Sequence, residues 1–100
     1  MHEAIQDLME KRLPESVEQE IREIVEADTA ISEMHHLRTL RVGNVYSIEM
    51  HLRMHGSISL YEAHHHSMLL EQRLRDRFGA DTLVTIHLEP LKINGVYQKD

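Results

Sequence analysis

Residues 45–55 run Val-Tyr-Ser-Ile-Glu-Met-His-Leu-Arg-Met-His, and from Ile48 onward apolar and polar side chains alternate. Because successive side chains of a β-strand point to opposite faces, this period of two predicts a strand with one buried and one polar face. Gly43-Asn44 precedes the strand and tolerates the positive φ of a tight turn, so 34–42 is predicted to be its hairpin partner. The same alternation predicts a last strand over 82–89.

Helical spacing of apolar residues indicates the other elements. A short helix is predicted over 3–13 and is ended by Pro14, because proline disfavours helix in the residue before it. Ser16 is predicted to begin the next helix, with Gln19 completing a capping box. The apolar face of that helix comprises Val17, Ile21, Ile24 and Val25.

A further helix is predicted from a second capping box, Ser59 with Glu62, to Phe78, with Gly79 as its stop. Its buried face is predicted to comprise Leu60, Ala63, Ser67, Leu70, Leu74 and Phe78. The order helix, strand, strand, helix, strand makes the last two strands parallel, since a helix connects them. We therefore expect a two-layer α+β domain with a three-stranded mixed sheet.

Composition excludes several classes of protein. The 100 residues suffice for one domain, and a net charge of −6 argues against nucleic-acid binding. The absence of cysteine excludes disulfides, thiolate zinc fingers and thiol catalysis. No apolar run approaches a membrane span and no signal peptide is evident, so we expect a cytoplasmic protein that does not itself insert into a membrane. No nucleophile–base pair, phosphate loop or HExxH motif is present, so we expect no enzyme activity.

Nine histidines are the unusual feature of this composition. Histidine is the commonest metal ligand, but ligands bind one ion only where their tips converge. His51 and His87 lie on the polar faces of strands that are candidates to be neighbours, and Glu89 shares the face of His87. His64, near the start of its helix, is placed to reach the edge of the sheet. Imidazole and carboxylate ligands suit zinc and other divalent first-row metals.

The hairpin partner supplies either His35 or His36. A tight turn at Gly43-Asn44 pairs His36 with His51, which puts His36 on the polar face. A β-bulge would shift the pairing by one residue and put His35 there instead.

Several motifs, in this order along the chain, resemble the C-terminal cytoplasmic domain of the cation diffusion facilitator family. They are Leu13-Pro14-Glu15, His35-His36-Leu37-Arg38-Thr39, Ile48-Glu49-Met50-His51-Leu52, Glu62-Ala63-His64, Phe78-Gly79 and Val84-Thr85-Ile86-His87-Leu88-Glu89-Pro90. The resemblance implies a ferredoxin-like, metallochaperone-like αββαβ fold and a V-shaped homodimer. It also implies that bound Zn²⁺, or a related ion such as Fe²⁺, Mn²⁺, Co²⁺ or Ni²⁺, regulates an attached transmembrane domain that exports the metal against protons.

Carried over by motif, the resemblance implies metal ligation by His35, His51, His87 and Glu89, with His64 serving a second, adjacent ion. It favours His35 over His36, which we keep in reserve. The sequence departs from the family in two places, because Glu89 stands where Asp is frequent and His36 stands where another Asp is frequent.

The expected organisation has three parts. Residues 1–14 would be a linker or short helix that follows an absent membrane part, 15–90 the metal-binding domain, and 91–100 a flexible tail. The chain is then an excised domain at the cytoplasmic face of the cell membrane. Two alternatives remain, a free-standing metal buffer or metallochaperone and a dimerisation or small-molecule-sensing module without metal.

Overall fold

The structure, a computed structural model, describes residues 12–90, 92–93 and 96–97. Its elements are α1 (Glu15–Glu26), β1 (Ile31–Val42), β2 (Val45–Met54), α2 (Leu60–Phe78), β3 (Leu83–Pro90), β4 (Lys92–Ile93) and β5 (Val96–Tyr97). The helix predicted over 3–13 lies outside the described residues except for 12 and 13, which are not helical. The tail predicted over 91–100 also lies mostly outside them, and its described backbone forms the antiparallel pair β4–β5.

The main sheet has three strands in the order β1-β2-β3. β1 pairs antiparallel with β2, and β2 pairs parallel with β3 across the α2 connection. The hairpin closes on the two residues Gly43-Asn44, and Gly43 has the φ of +62° that glycine adopts without strain. The predicted α+β architecture with a mixed sheet is therefore confirmed.

The core lies between one face of this sheet and the two helices. The alternating apolar residues of β2 are buried, as the period of two predicts, and they pack with one face of each helix. The fully buried side chains are Ile21, Val25, Ile48, Met50, Leu52, Leu70 and Leu74. The opposite face of the sheet carries the polar residues, and we call it the open face.

Two details of the helices differ from prediction. α1 begins at Glu15 with Pro14 as its N-cap, so Ser16 lies inside the first turn and makes no capping bond. Proline fits this place because its fixed φ suits a helix start and its missing N–H costs nothing there. On α2 the Ser59 hydroxyl accepts a hydrogen bond from the Glu62 amide, as predicted. Leu60, the first residue of the helix, is exposed rather than buried, because the buried face of α2 begins at Ala63.

A buried polar cluster fixes the start of the domain, and we call it the entry clamp. The guanidinium of Arg12 donates to both carboxylate oxygens of Glu18, at 3.0 and 2.8 Å. The Thr39 hydroxyl donates to Glu18 Oε2 at 2.5 Å and accepts from the Leu13 amide at 3.3 Å. Because Glu18 and Thr39 are almost fully buried, these bonds join the chain entering the domain to α1 and β1.

Within the described ranges, neither helix combines the length and the apolar composition needed to cross a bilayer.

Candidate metal centre

A β-bulge decides which histidine of β1 faces the site. Arg38 pairs with Glu49 as the tight turn predicts, but the register then shifts so that His35, not His36, lies opposite His51. Two residues of β1 oppose one of β2 at this point, and His36 absorbs the bend with a φ of +53°. The left-handed conformation is uncommon outside glycine, although histidine is among the residues that adopt it more often.

The bulge completes a row of imidazoles across the open face. His51 pairs with His87 in the parallel ladder, so the three strands present His35, His51 and His87 side by side. The rings of His51 and His87 stack, with their centroids 4.5 Å apart and their planes 20° apart. The neighbouring row on this face lies near the start of β1 and the ends of β2 and β3, and it consists of Glu33, Arg53 and Glu89.

Glu89 joins two of these imidazoles. His35 Nε2 donates to Glu89 Oε1 at 2.9 Å, and His51 Nδ1 donates to Glu89 Oε2 at 2.7 Å. Each of the three residues offers one possible ligand atom, an imidazole nitrogen or a carboxylate oxygen, and these atoms all lie within 4.8 Å of one another. The three side chains are half-buried, at 20% to 30% exposure, so the site is open to ions yet partly shielded from water.

The imidazoles keep this carboxylate ionised. The hydrogen bond from His51 lowers the pKa of Glu89 below its ordinary value, burial acts in the opposite direction, and His35 adds to the lowering. Metal ligation requires a deprotonated carboxylate, so the arrangement favours the form that binds.

The structure brings together part of the predicted ligand set. His87 stacks on His51, but its Nε2 donates to Glu49 at 3.0 Å rather than to Glu89. The His36 ring lies near both His35 and His51, with centroids 4.5 and 5.2 Å away. His64 is exposed on α2 and is outside the group of three, so its role as a ligand stays a prediction.

Two further contacts were not anticipated from the sequence. His66, expected to be exposed, is half-buried and its Nδ1 donates to Asp28 Oδ2 at 2.7 Å, which ties α2 to the turn before β1. Arg53 lies beside Glu89, with 3.5 Å between Nε and Oε1. The alternation of β2 places Arg53 on the face of His51, and that signal was available in the sequence.

The donor set fits a small divalent cation. Zinc takes imidazole nitrogen and carboxylate oxygen at 2.0–2.2 Å, so in tetrahedral geometry its ligand atoms are about 3.3 Å apart. The distances from His35 Nε2 and His51 Nδ1 to Glu89, 2.9 and 2.7 Å, end on different carboxylate oxygens, and one ligand atom of each residue lies within 4.8 Å of the other two. The three residues therefore lie close enough to contact one ion once their side chains reorient.

Comparison with known proteins gives a consistent result. Residues 13–91 match the family model ZT_dimer, described as the cytoplasmic domain of cation efflux protein. The chain is 38% identical over 93 residues to the cation-efflux pump FieF of Escherichia coli O1:K1 / APEC, and 37% identical to FieF of Salmonella typhimurium strain LT2. The alignment covers 92% of this chain but 30% of those relatives, so the chain spans about a third of their length.

Solved structures agree with the sequence relatives. The metal-bound C-terminal domain of the CzcD transporter from Thermotoga maritima superposes with a TM-score of 0.69 at 27% identity, covering 82% of this chain and 99% of that domain. The Zn form of CzrB gives 0.67 at 31% identity, covering 82% and 93%. With a family model that matches most of its length, the chain belongs to the family of cation efflux protein cytoplasmic domains.

Proposed function

We propose that this chain is a divalent-metal-binding, dimerising regulatory domain of a cation diffusion facilitator exporter. The observation that carries the proposal is the convergence of His35, His51 and Glu89, which come from three different strands. Exposed acidic groups cluster often, but two imidazoles bonded to the two oxygens of one half-buried carboxylate form a set suited to metal ligation. Zinc is the ion we favour, and Fe²⁺, Mn²⁺, Co²⁺ and Ni²⁺ suit the same ligand types.

His87 completes the proposed set as a further ligand beside His35, His51 and Glu89, and His64 serves a second, adjacent ion. Support for His87 is its stacking on His51, which puts its ring beside the group of three. His64 has the support of its motif alone. His36 is the reserve ligand because its ring adjoins both His35 and His51.

The proposed regulation is electrostatic. Each chain carries a net charge of −6, so two copies repel one another when they approach. Cations bound to the open face would offset part of that charge and favour a tighter dimer, and this bias would pass to the transmembrane part of the exporter. Because the ligands bind in deprotonated form, we expect metal affinity to fall as the pH drops through the histidine range.

The domain organisation follows the same proposal. Residues 15–90 form the metal-binding domain, 1–14 the connection toward a membrane part, and 91–100 a tail. The entry clamp supports a connection that is fixed to the domain, because it holds residues 12 and 13 against α1 and against β1, the strand that carries His35. Metal and proton antiport would belong to the transmembrane domain of the whole exporter.

Sedimentation velocity with and without zinc tests the proposal. We expect zinc at a few equivalents to shift the chain toward a more compact dimer, and chelation to reverse the shift. The His51→Ala variant should not respond, whereas His55→Ala, which alters a histidine that follows the end of β2, should respond fully. An identical zinc response of His51→Ala and the unmodified chain would contradict the proposed site.

A further inference from the structure

Arg53 holds a fixed positive charge at the edge of the candidate metal centre. It follows His51 by two residues on β2, so both side chains lie on the open face. In register, Arg53 lies between Glu33 on β1 and Glu89 on β3. Its side chain is 17% exposed, which is unusually low for an arginine on the open face of a sheet.

The contacts of Arg53 with its two carboxylates are unequal. Nη1 donates to Glu33 Oε1, so the outer carboxylate is held by a hydrogen bond. Nε lies 3.5 Å from Glu89 Oε1 and, although buried, has no hydrogen-bond partner in the described part of the chain. Arg53 is therefore attracted to Glu89 by charge, while the two oxygens of Glu89 accept bonds from His35 and His51.

A guanidinium ion stays charged at every physiological pH, so it neutralises a nearby carboxylate permanently. A divalent cation that binds Glu89 must share this carboxylate with Arg53, and the positive charge of Arg53 repels it. The partial shielding of the site from water strengthens that repulsion. Because Arg53 also donates a hydrogen bond to Glu33, it keeps one carboxylate partner when Glu89 turns toward a metal ion.

We propose that Arg53 is a resident counter-cation that competes with the metal for Glu89 and so weakens the metal affinity of the centre. The inference rests on the proposed function, since it concerns the affinity of the same site. Because Arg53 partly neutralises the ligand set, the site releases its metal at a higher free metal concentration. Arg53 thereby has a role in ion release.

Zinc titration by calorimetry on the full chain tests this role. We expect Arg53→Gln to bind zinc at least about tenfold more tightly than the unmodified chain, as the loss of a half-buried charge pair implies. Arg77→Gln is the matched control, since Arg77 also pairs with a glutamate, Glu20, but in the helical layer. The affinity of this control should stay within about twofold of the unmodified chain.

Arg53→Lys and a stability measurement complete the test. Lysine keeps the positive charge, so its affinity should stay close to that of the unmodified chain. In the presence of a chelator, Arg53→Gln should melt at a lower temperature than the unmodified chain, since Glu33 and Glu89 lose their shared cation, and saturating zinc should narrow the difference. If Arg53 merely oriented Glu89, Arg53→Gln should bind zinc more weakly than the unmodified chain. Competition predicts tighter binding, so the direction of the change in zinc affinity distinguishes the two roles.

The outcomes separate the inference from the proposed function. Equal or weaker zinc binding by Arg53→Gln, or a gain in Arg53→Lys as large as that in Arg53→Gln, would overturn the inference while leaving the metal site intact. No zinc binding by the unmodified chain would overturn the proposed function and the inference with it.

Discussion

Glu89→Gln is the substitution that most directly perturbs the candidate metal centre. It keeps the size of the side chain but removes the anionic charge that accepts hydrogen bonds from His35 and His51. One of three donors is thereby lost as a strong ligand. Replacing a residue that only supports a ligand costs about 10–100-fold in metal affinity, so losing this ligand should cost at least about 100-fold, or about 2.7 kcal/mol.

Glu49→Gln provides a control with the same change of charge. Glu49 also lies on the open face of β2 and accepts a hydrogen bond from a histidine, His87, at 3.0 Å. It is two residues from His51, about 7 Å along the strand. At that distance, in water at physiological salt, its direct attraction for an ion at Glu89 is worth about 0.5 kcal/mol. Loss of its hydrogen bond to His87 adds to this, so Glu49→Gln should weaken zinc binding by about tenfold at most, against at least about 100-fold for Glu89→Gln.

Calorimetric titration measures the dissociation constants of Glu89→Gln and Glu49→Gln for zinc. Acid unfolding adds an independent check. Because the pKa of Glu89 is lowered in the folded state, its stabilising effect is complete above the pKa of the unfolded carboxyl and is lost as pH falls through the folded value. Under chelator, the stability gap between the unmodified chain and Glu89→Gln should shrink as pH falls from about 5 toward 2. Equal zinc affinities for Glu89→Gln and Glu49→Gln would refute the reasoning.

Other predictions follow from the bulge and from the entry clamp. His35→Ala should weaken zinc binding at least about tenfold, whereas His36→Ala should change it less than about threefold; the reverse order in calorimetry would show that the register is wrong. Thr39→Val should lower the free energy of unfolding in urea by about 2–4 kcal/mol, because two buried groups each lose a partner; a change below about 0.5 kcal/mol would contradict the entry clamp. The hydrogen bond from Arg12 lowers the pKa of Glu18, burial acts in the opposite direction, and the hydrogen bond from Thr39 adds to the lowering. The unmodified chain should therefore have a higher free energy of unfolding than Glu18→Gln at neutral pH, and this difference should be lost in acid. Urea titrations at stepped pH measure this, and a pH-independent difference would exclude the pairing.

The sequence predicted the sheet well because its signal is local. The alternation around Ile48 and Met50 sets the buried and open faces of β2 whatever the rest of the chain does. The strand ends were less accurate, since β1 begins at Ile31 rather than residue 34 and β2 ends at Met54 rather than residue 55. The last residue pairs of a β-ladder depend on the neighbouring strand, which the local pattern does not describe.

The choice between His35 and His36 could not be made from spacing alone. Both registers of the hairpin satisfy the pattern of β2, and the difference is one residue in the left-handed region of backbone space. The family motif favoured His35, and the bulge supplies the physical reason. The proximity of Arg53 to Glu89 depends on the same cross-strand register and became visible with it.

The most direct test of the metal-binding account is calorimetric titration of zinc into the full chain, purified without added metal and treated with chelator. We predict saturable binding at micromolar zinc or below, with an affinity that decreases as the pH falls, because the ligands bind metal in deprotonated form. A flat trace at micromolar zinc would contradict it, whatever the geometry of His35, His51 and Glu89.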